Sequence, residues 1–220
     1  MSYSSLRQAA RDSLRGKWGI AVGVTILYLI LVNGVPTIID LFLKPSDPQN
    51  ELDGVSLLNT LIQLLWWIFV YAPLIIGYVV FIMKLVRRQE AETGDLFSRF
   101  KGEWYLRSIG VVVLQSIYIA LWSILLIIPG IIKSYSYSMA YYILLDHPEY
   151  SAFQAITESR KLMNGHKWQL FVLHLTFIGW FLLSFISLGI GFFWLIPYFN
   201  AAQMQFYLKI SGQSTEASIR

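Results

Sequence analysis

Three histidines, His147, His166 and His174, and a complete lack of cysteine limit the side-chain chemistry open to this sequence. A metal site or a general acid-base pair needs groups that converge at a fixed spacing. The chain has no His-x-x-x-His, no Glu-x-x-His in an apolar run, no paired carboxylates inside such a run and no Gly-x-Ser-x-Gly. His147 stands in "DHPE", where Asp146 is placed to cap a helix that Pro148 begins. His166, in "NGHKW", is placed to meet a lipid phosphate or a helix end, and His174 falls about two turns into an apolar run. These patterns predict no catalytic residue, no metal and no cofactor.

What remains is polar chemistry in apolar surroundings. Polar side chains within a bilayer are costly and usually face a bundle interior or a pathway. Asn33, Asp40, Gln63 and Gln115 are such residues in the first three expected spans. In the last three expected spans Lys133, Tyr135, Tyr137, Tyr141, His174, Asn200 and Gln203 make up a candidate polar cavity, and Pro73 and Pro197 interrupt the second and sixth spans. The alternative use of the same residues is to bond helices to one another. Lys133 is expected to reach the outer surface and to pair there with Asp40.

The elements that must position these groups follow from composition. Hydrophobic residues make up 56% of the 220 and charged residues only 14%, whereas soluble domains carry about 25% charged. A helix crosses the hydrocarbon layer with about 20 apolar residues. Residues 18–39 and 54–83 each meet that requirement, residues 108–145 hold two more runs around a turn at Ile128–Ile131, and residues 168–208 hold two around Ser187–Gly191. The fold class expected is therefore all-α, a polytopic bundle of six transmembrane helices arranged as three hairpins in one domain, 1–220. No cleavable signal peptide is expected, since the first apolar run is too long for one. Six crossings put all of the 17 Lys and Arg except Lys44 and Lys133 on one side, which predicts cytoplasmic termini.

One phrase recurs. "SLRQAARDSLRGKW" (5–18) and "SAFQAITESRKLMNGHKW" (151–168) share Ser, Gln, Ala and Ser at matching places and lead to Gly and Trp, with a weaker copy at "TGDLFSRFKGEW" (93–104). The repeat-like units are then 1–92, 93–147 and 148–220. Ser5 with Gln8 and Ser151 with Gln154 have capping-box spacing, so each hairpin is expected to follow an interfacial amphipathic helix on the cytoplasmic side. Arg7, Arg11, Arg15 and Lys167 would face phosphates there, and Trp18, Trp104 and Trp168 would anchor the spans at headgroup level. Gly16, Gly102 and Gly165 would end the lead-in helices in a left-handed turn.

The block "IIPGIIKSYSYSMAYYILLDHPEYSAFQAITESRKLMNGHKWQLF", with "LGIGFFWLIPY" after it and "ARDSLRGKW" before it, resembles an integral-membrane family of Gram-positive bacteria known as domain of unknown function 975. The order of elements is also loosely similar to the membrane region attached to some glycerophosphodiester phosphodiesterases, whose chemistry sits in a separate soluble domain. The resemblance implies a fold and no activity. The function expected is that of a multi-pass protein of the bacterial cell membrane without catalysis of its own. Its expected partners are membrane lipids, with a membrane protein or a hydrophobic peptide as further candidates and no nucleic acid. The alternative is a small transporter or permease-type subunit.

Overall fold

The computed structural model describes residues 2–43 and 54–213, and every regular element among them is helical. Lys44, the acidic residues Asp47, Glu51 and Asp53, and Arg220 lie outside the described residues. A short helix α1 (Tyr3–Leu14) precedes two long rods. The first is α2 (Trp18–Leu29), a π turn at Ile30–Gly34, and α3 (Val35–Phe42); the second is α4 (Gly54–Trp66), a π turn at Trp67–Tyr71, and α5 (Ala72–Val86). In each rod a proline, Pro36 or Pro73, follows just past the π turn. Proline has no N–H to give and crowds the carbonyl four residues back. The wider turn absorbs that misfit, so the helix continues.

The rest of the chain is α6 (Glu103–Leu125), α7 (Ile127–Tyr137), α8 (Ala140–Asp146), α9 (Ala152–Leu162), α10 (Lys167–Leu175), α11 (Ile178–Ile186) and α12 (Phe192–Ile210). Four stretches are long and apolar enough to cross a membrane: Trp18–Phe42, Gly54–Val86, Glu103–Leu125 and Lys167–Ile186. The fourth and sixth expected spans do not reach that mark. The fourth is broken at Ser138–Met139 into α7 and α8. The sixth, α12, is diluted by Pro197, Asn200, Gln203 and Gln205, although Pro197 leaves it unbroken.

Several local expectations are corrected. The turn of the second hairpin falls at Leu126, which is extended, so Pro129 and Gly130 lie in the first turn of α7, where a missing N–H loses no partner. α1 starts with Ser2 as its cap residue, and Ser5 lies inside the helix with its hydroxyl donating to the Ser2 carbonyl. Three serines, Ser2, Ser4 and Ser5, crowd this start. Asp146 ends α8 instead of capping a helix at Pro148, and α9 starts beyond it at Ala152. The weak third copy forms a short 3-10 helix, Thr93–Phe97, capped by Glu92 and Asp95, and not an amphipathic α-helix.

Burial is unequal along the rods. No residue of α3 or α4 is buried, whereas nearly all of α5 is, from Ala72 to Val86. What encloses α5 is α1, the 3-10 helix, α6, α8 and α12. The lead-in segments show a cyclic pattern in this packing. The 3-10 helix that introduces hairpin α6–α7 packs on α5, so closely that a Cβ on Gly77 would overlap the Leu96 carbonyl. α9, which introduces the hairpin of α10–α11 and α12, packs on α6, α7 and α8. α1, which introduces the two long rods, packs on α12 and closes the ring. Each lead-in thus clasps the helices that precede it around the ring.

Candidate functional site

The clasps of α1 and α9 are built on matching sequence. Ser123, Gly130 and Tyr137 stand seven apart in the second hairpin, as do Ser184, Gly191 and Tyr198 in the third. The glycine lets the two arms of each hairpin approach. A Cβ on Gly130 would lie 2.9 Å from Ser123 Cα, and one on Gly191 would lie 2.8 Å from Ser184 Cα, distances that side chains do not tolerate. The tyrosine one heptad on then lines a pocket against the lead-in helix.

In the α1 clasp that pocket is an apolar cavity of about 440 Å³. Its walls are aromatic, with Trp18, Trp180, Trp194 and Tyr198, and Arg11 supplies a guanidinium at one side. Ser187 and Gly191 from the turn of the third hairpin complete it. In the α9 clasp the pocket is smaller, about 260 Å³, and holds two cations, Lys133 and Arg160, beside Tyr118, Trp122 and Tyr137. The Lys133 ammonium lies 4.3 Å from the centre of the Trp122 ring, a favourable cation–π contact.

α9 is seated by one side chain. Its buried face is Ala155, Ile156 and Ser159. The Ser159 hydroxyl donates to the Ser136 carbonyl at 2.9 Å and accepts the Met139 N–H at 3.1 Å. It thereby satisfies the backbone groups freed where α7 gives way to α8. Ser151 and Gln154 form the reciprocal capping box at the start of α9.

The predicted residues are distributed as follows. Gly16, Gly102 and Gly165 all have positive φ, at 76°, 61° and 81°. Gly102 stands at the start of α6, and so introduces a helix instead of ending one. Trp18, Trp104 and Trp168 lie at or next to the first residues of α2, α6 and α10. Arg99 stacks on Trp104 at 4.2 Å. Arg11 and Arg15 are exposed, Lys167 is half-buried, and Arg7 is held by the protein, donating to the Thr176 carbonyl at 3.3 Å. The apolar faces of α1 (Leu6, Ala10, Leu14) and α9 are buried in the protein itself.

The seven residues of the candidate polar cavity do not share one space. Lys133 and Tyr137 line the α9 pocket. Tyr135 points elsewhere, its hydroxyl 3.3 Å from His174 Nδ1, because two residues along a helix turn the side chain by about 200°. Tyr141 stands past the helix break, near Tyr28 and Tyr71. The Asn200 amide donates to its own helix at the Ile196 carbonyl, and Gln203 is half-buried with no partner among the described residues. The expected Asp40–Lys133 pair is absent. Asp40 instead accepts from Asn59 at 2.6 Å and from Gln63 at 3.4 Å, and Lys133 is committed to Trp122.

A second polar cluster centres on Asp146. Asp146 accepts from Arg87 at 2.7 Å, from the Tyr207 hydroxyl at 2.8 Å and from Gln213 at 3.1 Å. It joins the ends of α5, α8 and α12. Its partners are distant in sequence, and no local spacing marks them. The three histidines stay apart: His147 meets Glu149, His166 meets Gln169 and His174 meets Tyr135. The exposed Glu149 carboxyl is held below its usual range, chiefly by its own backbone N–H and further by His147. No cluster of three metal-ligating side chains occurs among the described residues.

Four helices long and apolar enough to cross a membrane fit a membrane protein, and pockets open between the lead-in helices and the helices they pack on. The family model described as a protein of unknown function (DUF975) matches residues 1–133 and 123–214, and the chain belongs to that family. No curated protein and no solved structure matches it, so the looser likeness to phosphodiesterase membrane regions gains no support.

Proposed function

We propose that the chain is a multi-pass protein of the bacterial cytoplasmic membrane, with both termini on the cytoplasmic side, that works without catalysis of its own by holding a membrane amphiphile. The observation that carries this is the α1 cavity: about 440 Å³, walled by tryptophans, with one guanidinium at its side. That volume is in the range of ligand sites, and its chemistry suits an acyl chain with a polar head. A lipid is the occupant put forward here; a hydrophobic peptide or a membrane partner would use the same walls. The transporter alternative asks for one polar cavity, and the residues meant to line it are divided among separate places.

Extraction in a mild detergent followed by mass spectrometry of retained lipids tests this. Wild-type protein is expected to retain lipid, and Tyr198→Trp, which fills the cavity, is expected to retain less. Equal retention by both would contradict the assignment.

The number of crossings admits two forms. Six crossings are the form expected from the apolar runs. One observation favours a second. Arg11 and Trp18, at the cytoplasmic start of the first crossing, line the same cavity as Ser187 and Gly191, which six crossings would carry to the outer face. A cavity of this size is far shorter than the hydrocarbon layer of about 30 Å. In the second form only Trp18–Phe42 and Gly54–Val86 cross. The other two hairpins enter from the inner face, tilted, and return without emerging on the outer side, and the termini remain on one side. Their tips suit this, since Ile124 to Ile128 and Phe185 to Leu188 are largely exposed and carry no charge.

A further inference from the structure

We infer that the α9 clasp is a headgroup site for an anionic phospholipid, with Lys133 and Arg160 gripping one lipid phosphate. This rests on the reading that the clasps hold membrane amphiphiles, and it concerns a different pocket from the α1 cavity. Three observations combine. First, both cations line one pocket of about 260 Å³. Second, neither has a carboxylate within ion-pair distance among the described residues; the nearest acidic residue in sequence, Glu158, is taken by Lys161 at 2.6 Å. Third, the pocket adjoins the apolar tip of the second hairpin, where Ile124, Leu125, Ile127 and Ile128 are each more than 70% exposed.

Two unpaired cations beside an exposed apolar tip have complementary needs. The tip requires acyl chains, and the cations require an anion at the level where chains meet water. A phosphodiester with its own acyl chains supplies both. The Trp122 ring, already stacked on Lys133, holds the ammonium toward the pocket instead of letting it extend to solvent. A free phosphate would satisfy the charge and leave the tip bare, so a lipid is the occupant.

Native mass spectrometry of the purified chain with dioctanoyl phosphatidylglycerol or dioctanoyl phosphatidylcholine tests this. Each basic group favours an anionic headgroup by roughly fivefold, so wild type is expected to prefer the glycerol lipid by about tenfold or more. In Lys133→Gln/Arg160→Gln that preference should fall to near unity while total lipid retention persists. Lys133→Arg should keep it. Raising salt should erode the preference in wild type without any variant. Absence of a preference in wild type, or a preference unchanged in the double variant, would overturn the site. Displacement by glycerol phosphate at equal concentration would overturn the commitment to a lipid. Retention of both lipids with no discrimination would leave the α1 cavity reading intact, whereas loss of all lipid binding would remove both.

Discussion

The α1 and α9 clasps use one backbone device for different pockets. Both pair a lead-in helix with a hairpin that carries serine, glycine and tyrosine at heptad spacing. They differ in how the helix is fastened. Ser159 of α9 bonds across to Ser136 and Met139, while its counterpart in the repeated phrase, Ser13, donates only to Ala10 of its own helix. They differ also in the pocket, because Lys133 stands in the second hairpin where Trp194 stands in the third. The backbone frame is shared and the chemistry is set by what lines it.

The largest expected effect tests the shared part. Gly130→Val and Gly191→Val each force bulk against a serine backbone, and each should lower stability by about 2–3 kcal/mol. Thermal unfolding in detergent would read this, and a marked inequality would show that the two hairpins are not equivalent. Next in size is the fastening. Ser159→Ala leaves a buried carbonyl and N–H without their partner and should cost about 1–3 kcal/mol. Ser13→Ala should be nearly silent by the same assay, since its hydroxyl serves only its own helix. Equal losses would erase the distinction between the clasps. Smaller again are the turns after the lead-ins. Gly16→Val and Gly165→Val should each cost about 1 kcal/mol, because both have positive φ and nothing within 4 Å of an added Cβ. Asn164→Ala should be mild.

What the sequence made legible was local. Uncharged runs located the two long rods, and the phrase ending in glycine and tryptophan located the starts of α2 and α10. The capping box at Ser151 was read from spacing alone, because a serine three residues before a glutamine satisfies free N–H groups whatever surrounds it. The same rule misplaced the start of α1, where Ser2 and Ser4 compete with Ser5. The break between α7 and α8 was invisible, since it depends on Ser159, far along the chain. The ring of clasps was hidden for the same reason. Periodicity says that α1 and α9 have an apolar face, but not whether lipid or protein covers it. Residue type alone does not show that Lys133 and Tyr135, two apart on one helix, face different ways.

Whether the third hairpin returns to the inner leaflet can be measured directly. The chain has no cysteine, so single-cysteine variants report without background. On intact cells an impermeant maleimide should label Gln49→Cys, in the acidic loop assigned to the outside, and should label neither Gln89→Cys nor Leu188→Cys. Leu188 is 94% exposed on the protein and sits at the tip of the hairpin. If that tip shares a cavity with Arg11 and Trp18 at the inner face, Leu188→Cys stays unlabelled on intact cells. Labelling of Leu188→Cys as fast as Gln49→Cys on intact cells would place the tip outside and contradict the clasped inner hairpin.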